Sequence, residues 1–133
     1  MIILKKEQLN FIIEHCRREY PLEACGILLG KDKKVEEIFS TKNARNSSTE
    51  YLVDPEEQFR IFKKIWKREK ELVGIYHSHP VSPAYPSEKD KKMAFYPEAS
   101  YIIVSLQNFV SPEVKSFRLK EGRVSEEKII IEG

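Results

Sequence analysis

Three short apolar runs limit what this chain can fold into: residues 23–30, with Ala24-Cys25-Gly26-Ile27-Leu28-Leu29 closed by Gly30; Leu72 to Tyr76; and Tyr101 to Leu106. Their length and flanking turn residues suit strands better than helices, and their continuous apolar character suits strands buried on both faces. Helical patterns separate them. Leu9, Ile12, Ile13 and Cys16 recur at helical spacing within residues 5–19, and Pro21 ends that pattern. Asp54-Pro55-Glu56-Glu57 is a strong helix start, because Asp54 can cap, Pro55 fits the first helical position and the acids complement the positive end of the dipole. Phe59, Phe62, Ile65 and Trp66 then form an apolar stripe expected to pack in the core.

The remaining segments follow from turn chemistry. Lys31-Asp32-Lys33 reads as a turn and Val35 to Phe39 as a returning strand. Ser40 to Glu50 is polar and expected to be a mobile loop, followed by a short strand at Tyr51-Leu52-Val53. Ser87 opens a short helix to about Tyr96, and residues 114–120 and 123–131, separated by Glu121-Gly122, read as a hairpin. Helices alternating with strands predict an α/β (α+β) fold, a mixed sheet with helices against it.

A chain of 133 residues fits one domain, 1–133. With 41% hydrophobic and 33% charged residues it can bury a core under a charged surface, which excludes disorder. Lys and Arg number 23 against 21 Asp and Glu, so no face carries the single-signed charge of a nucleic-acid binder. No apolar run is long enough for a bilayer, and Met1-Ile2-Ile3-Leu4 followed by Lys5-Lys6 lacks the order of a secretion signal; a cytoplasmic location is expected, with no membrane partner. Cys16 and Cys25 sit in apolar contexts without a C-x-x-C, and both are expected to be buried thiols.

Chemistry concentrates in His77-Ser78-His79-Pro80, Ser87 and Asp90, which include two of the three histidines in the chain. Positions i and i+2 of a strand point to one side, so His77 and His79 can offer imidazoles to one point. On a helix Ser87 and Asp90 share a face, and Pro83 and Pro86 stiffen the loop that would bring that face back to the strand end. Two imidazoles and a carboxylate suit zinc and leave one position open for water. Each piece also has a plainer reading. Ser87-Glu88-Lys89-Asp90 matches a helix capping box, and His77 with His79 could be a packed pair. His15 has no such context and is expected at the surface or its boundary. From residue pattern alone, nothing selects a general base among Glu14, Glu19 and Glu23.

The spacing H-S-H, seven residues, Ser, two residues, Asp resembles the JAMM motif of MPN-domain (Mov34/JAB) metalloproteases. Pro21-Leu22-Glu23-Ala24-Cys25-Gly26-Ile27-Leu28-Leu29-Gly30 looks like the segment that supplies that family's upstream glutamate, which places the role on Glu23. Asn43-Ala44-Arg45-Asn46 through Asp54-Pro55 is similar to its connection into the second helix, and the likeness covers residues 5–106 well.

The resemblance implies a curved sheet with a cytidine-deaminase-like core, in a stand-alone prokaryotic member. It also implies one zinc ion per chain on His77, His79 and Asp90. The implied reaction is hydrolysis after the C-terminal Gly-Gly tail of a ubiquitin-like modifier or sulfur-carrier protein. Zinc-bound water would attack the carbonyl, with Glu23 as general acid and base and Ser87 stabilising the oxyanion. Residues 40–53 would offer an edge or flap for the extended tail. The alternative is a non-catalytic MPN scaffold, although such domains usually lack these ligands. A zinc deaminase would need H-x-E and P-C-x-x-C, which are absent. A cysteine protease built on Cys25 and His77 would place its thiol in an apolar strand, the wrong setting for a reactive one.

Overall fold

In the computed structural model, which describes residues 1–133, the three apolar runs lie side by side. They form β2 (Cys25–Lys31), β4 (Glu71–His79) and β5 (Ser100–Ser105), the middle of one eight-stranded sheet. Outward from β5 come β6 (Glu113–Lys120) and β7 (Arg123–Glu127); outward from β2 come β3 (Lys34–Thr41), β1 (Ile2–Lys5) and β8 (Ile129–Glu132). β4 is antiparallel to β2 and parallel to β5, so the sheet is mixed. Every residue from Cys25 to Gly30, from Val73 to His79 and from Ser100 to Ser105 is buried, as continuous apolar runs require.

Alternation along these strands feeds two faces. Leu28, Tyr76, Ile102 and Val104 pack with Ile12 and Cys16 of α1 (Lys6–Glu19). Ile27 and Leu29 pack with Ile61 and Phe62 of α2 (Pro55–Trp66), and Ile75, Tyr101 and Ile103 join Phe117 and Leu119. Gly26 is required where it stands, because a Cβ there would lie 2.2 Å from the ring of Tyr76. That ring carries its hydroxyl to His15 Nδ1 at 2.7 Å. His15 is therefore buried in the core, at 6% exposure, and not at the surface or its boundary as its sequence context suggests.

The outermost strands, β7 and β8, are consecutive in the chain and separated only by Lys128. The first half of this segment pairs antiparallel with β6 and the second half parallel with β1, so the sheet curves until it nearly closes. The expected terminal hairpin is thus real only as far as Glu127. Strand β1, which the sequence pattern did not disclose, buries Ile2 and Leu4 and receives β8. At the seam Glu127 accepts hydrogen bonds from the N-terminal ammonium at 2.8 Å, Ser116 Oγ at 2.6 Å and Arg118 Nε at 3.0 Å. Burial would raise this carboxyl, but hydrogen bonds from the ammonium, Ser100, Ser116 and Arg118 outweigh it and bring the pKa down to about 2.

A depressed carboxylate contributes stability that is present above its unfolded pKa and lost as the pH falls through its folded one. Glu127→Gln should therefore cost on the order of 2–3 kcal/mol at pH 7, and much less near pH 2. Urea unfolding of both proteins across that range checks it; a gap that does not change with pH would make Glu127 a packing residue only.

Other segments also differ from expectation. The strand at Tyr51-Leu52-Val53 reduces to one bridge between Asn43 and Val53, and the helix opened by Ser87 is the short α3 (Glu88–Lys92). On α2 the buried strip is Ile61 and Phe62, whereas Phe59 and Trp66 are 55% and 58% exposed and pack on each other at 5.4 Å. Both cysteines are free and buried, and burial pushes each thiol up to about 12. A fully buried thiol in this apolar strand is the wrong setting for a thiolate nucleophile at Cys25.

Candidate metal centre

The ladder between β2 and β4 ends at the pair Cys25–His77, whereas β5 accompanies β4 to His79. The end of β4 at His79 therefore runs past the start of β2. Strand alternation puts both imidazoles on one side of β4, with their Nε2 atoms 3.1 Å apart. The loop after Pro80 is anchored by buried Ala84 and Pro86 and delivers Ser87 as the cap of α3. Asp90 N–H donates to Ser87 Oγ at 3.1 Å, and Ser87 N–H donates to Asp90 Oδ2 at 2.9 Å. That same Oδ2 lies 3.2 Å from His77 Nε2 and 3.0 Å from His79 Nε2. Capping box and convergence on the histidines coexist in one carboxylate.

His77, His79 and Asp90 are 1%, 4% and 7% exposed, so the cluster is withdrawn from water. His79 Nδ1 lies 2.8 Å from the carbonyl oxygen of Pro83, which can only accept, so Nδ1 carries a hydrogen and Nε2 is the atom that would turn a lone pair to a metal. Burial would lower the pKa of this ring, but hydrogen bonds with Asp90 and the Pro83 carbonyl outweigh it and raise it. His77 stacks on Tyr51, ring centroids 4.3 Å apart at 22°, and burial lowers its pKa despite Asp90, which keeps it neutral. Burial would raise Asp90, but hydrogen bonds with His77 and His79 and the Ser87 N–H outweigh it and hold the carboxyl well below the usual range. Two lone-pair nitrogens and a carboxylate oxygen at 3.0–3.2 Å repel one another unless a proton or cation lies between them. Ligands about 2.0–2.1 Å from a tetrahedral zinc would be about 3.3 Å apart, so the donor set fits a metal ion in type and spacing.

Glu23 stands just before β2, 5% exposed, and its Oε1 has no hydrogen-bond partner. Burial pushes its carboxyl up to about 8, opposed by the charge of His79 and assisted by Asp90 and Glu50. A buried acid without a partner is costly and calls for a functional reason. Glu14 is instead a surface partner of Arg17, and Glu19 is exposed, so burial separates the three acids that the sequence left equal.

The backbone of Glu23 is gripped by the segment expected to be a mobile loop. Its N–H donates to Ser47 O at 2.8 Å, and its carbonyl accepts from Asn43 Nδ2 at 3.0 Å. Asn43 also donates to Glu50 O and accepts from the N–H groups of Arg45 and Leu52, so its amide organises the loop. Glu50 then pairs with Lys89 of α3 at 2.9 Å. Between these elements lies a cleft of about 160 Å³, lined by Arg45, Glu50, Tyr51, Lys89, Asp90, Lys92 and Met93. The roles of Asn43, Tyr51 and the Pro83 carbonyl escape sequence reading, because each acts through a contact that no spacing rule encodes.

Residues 5–120 match the Prok-JAB family, the prokaryotic homologs of the JAB domain. The chain belongs to this family. The CysO-cysteine peptidase of Mycobacterium tuberculosis is 34% identical to this Prok-JAB chain over 131 residues, 97% of the chain and 90% of that protein. The desampylase of Pyrococcus furiosus is 35% identical over 113 residues, 84% and 77% of the two chains. Among solved structures, protein DSY2949 from Desulfitobacterium hafniense superposes with a TM-score of 0.87 at 39% identity, covering 99% of this chain and 93% of its own. The structure described as a JAMM metalloprotease-like zinc site in the proteasome and signalosome has the same fold, with a TM-score of 0.63 at 19% identity and 98% of each chain covered. This Prok-JAB protein is a hydrolase of the JAMM type. No helix is long and apolar enough to cross a membrane.

Proposed function

We propose that this hydrolase, a single cytoplasmic domain of residues 1–133, holds one zinc ion on His77, His79 and Asp90. Its reaction is cleavage of the amide or isopeptide bond after the Gly-Gly tail of a ubiquitin-like modifier or sulfur-carrier protein. The observation that carries this reading is the convergence of three buried donor atoms beside a buried carboxyl without a partner. Relatives named CysO-cysteine peptidase, desampylase and probable TtuB-protein conjugate cleaving protease support the substrate class. Under the scaffold alternative, the desolvation of Glu23 has no purpose.

Zinc, when bound, supplies Lewis acidity and lowers the pKa of water toward about 7. Glu23, whose raised pKa suits a group that both takes and returns a proton, receives the proton of the attacking water and passes it to the departing amine. Pro83 fixes the His79 tautomer and Tyr51 the plane of His77, so neither ring must reorient during turnover. The capping bond occupies a lone pair of Ser87 Oγ and leaves its hydrogen free for the oxygen of the scissile carbonyl.

Substitution can separate these two duties of Ser87. Glycine is nearly as good a cap as serine, whereas alanine costs about 1 kcal/mol. Ser87→Gly and Ser87→Ala should both lose about 100-fold in kcat, with only the alanine variant melting earlier. Steady-state rates beside thermal melts check this; rates that follow the melting order would leave Ser87 as a cap alone.

The substrate is tested by incubating the protein with a ubiquitin-like modifier conjugate and with a sulfur-carrier protein bearing a C-terminal adduct. Products are weighed by mass spectrometry with and without a chelator. Chelator-sensitive cleavage directly after Gly-Gly is expected; cleavage elsewhere, or none, overturns the reading.

A further inference from the structure

The residue between the two histidines points away from them. Ser78 is fully buried, on the α1 side of β4 with Tyr76. Its Oγ accepts the N–H of Ala24 at 2.8 Å, and its own N–H donates to the Ala24 carbonyl at 3.1 Å. This exchange continues the β2–β4 ladder one step past the pair Cys25–His77, with a side chain in place of the second main-chain bond. The substitution lets the chain leave the ladder at Glu23 and turn toward Ser47 without orphaning a buried N–H.

The Ala24 N–H and the Glu23 carbonyl belong to one peptide group. Ser78 holds its N–H end, and Asn43 holds its carbonyl end at 3.0 Å. A planar peptide fixed at both ends has no freedom to rotate, which sets the direction in which the Glu23 side chain leaves the backbone. We propose that Ser78 is a positioning residue for Glu23, locking the orientation of the Glu23–Ala24 peptide to the strand that carries His77 and His79. Base and ligands then move as one body, and their separation survives thermal motion in the loops. This inference rests on the function proposed above.

The Ser78→Ala variant should fold, keep its zinc stoichiometry and KM, and lose about 10- to 100-fold in kcat on a Gly-Gly-tailed fusion, the scale expected for a misplaced reacting group. Ser78→Thr, which restores the hydroxyl, should recover most of the rate. In a Glu23→Gln background, Ser78→Ala should cause no further loss, because it acts through the carboxyl already removed. Amide exchange followed by NMR gives a readout independent of turnover: the Ala24 N–H should be protected in the wild type and in Ser78→Thr, and exchange at least tenfold faster in Ser78→Ala. Unchanged kcat in a folded Ser78→Ala protein, multiplicative losses in the double variant, or unchanged Ala24 exchange would each overturn the proposal. A wild type inert on every such fusion would instead remove the proposed function, and the Ala24 exchange would still decide whether the clamp exists.

Discussion

Glu23→Gln is expected to yield a folded, zinc-loaded protein whose turnover is lower by a factor of about 100 to 10,000. The amide has the size and shape of the carboxyl but cannot accept a proton from water near neutrality. Neither neighbouring acid can substitute: Glu50 is engaged with Lys89 and Arg45, and Asp90 is held far below the range of a useful base by its hydrogen bonds with the histidines. The variant should be at least as stable as the wild type, because a neutral amide relieves the desolvation that raises the Glu23 pKa. Loss of activity without loss of stability is the signature of a residue kept for chemistry. Metal analysis, melting temperature and single-turnover rates check the three parts together, and full activity would remove Glu23 from the mechanism.

Asp90→Asn should act on the metal instead. The amide oxygen can still take the Ser87 N–H, so α3 keeps its cap, but the anionic partner of both imidazoles is gone. Loss of an outer-shell partner typically costs 10- to 100-fold in metal affinity, so loss of a direct anionic ligand should exceed about 100-fold. Turnover should fall in parallel and return in part when zinc is added in excess. Competition against a chromophoric chelator measures the affinity directly. Unchanged zinc retention would mean that the ligand set is misassigned.

These two predictions draw on different strengths of the sequence. The convergence of His77, His79 and Asp90 was legible because strand periodicity and helix capping are local rules: the histidines share a side by alternation, and Ser87 with Asp90 forms a cap that the structure reproduces. The central strands were legible because their apolar runs need no partner to be recognised. The burial of Glu23 has no local signature, since it depends on residues 43–50 folding over it, and only the resemblance singled this glutamate out. The same limit hid β1, whose four residues become a strand by pairing with a segment more than a hundred positions away. His15 was misplaced because its partner, Tyr76, lies across the core, and Phe59 and Trp66 because periodicity marks an apolar face without saying how much of it the sheet covers. The loop around Asn43 looked mobile from its polar composition, yet that composition supplies the amide donors and acceptors that organise it.

The closure of the sheet has a consequence for how the molecule is made. Ile2 and Leu4 leave the ribosome more than a hundred residues ahead of their parallel partner strand, residues 129–132. Until that segment has been made, β1 lacks β8 and the seam at Glu127 does not exist. Helix α1 with β2 to β5 can gather cotranslationally around local hairpins and crossovers, but the final zippering joins segments more than a hundred residues apart and requires the slow search that distant pairings impose.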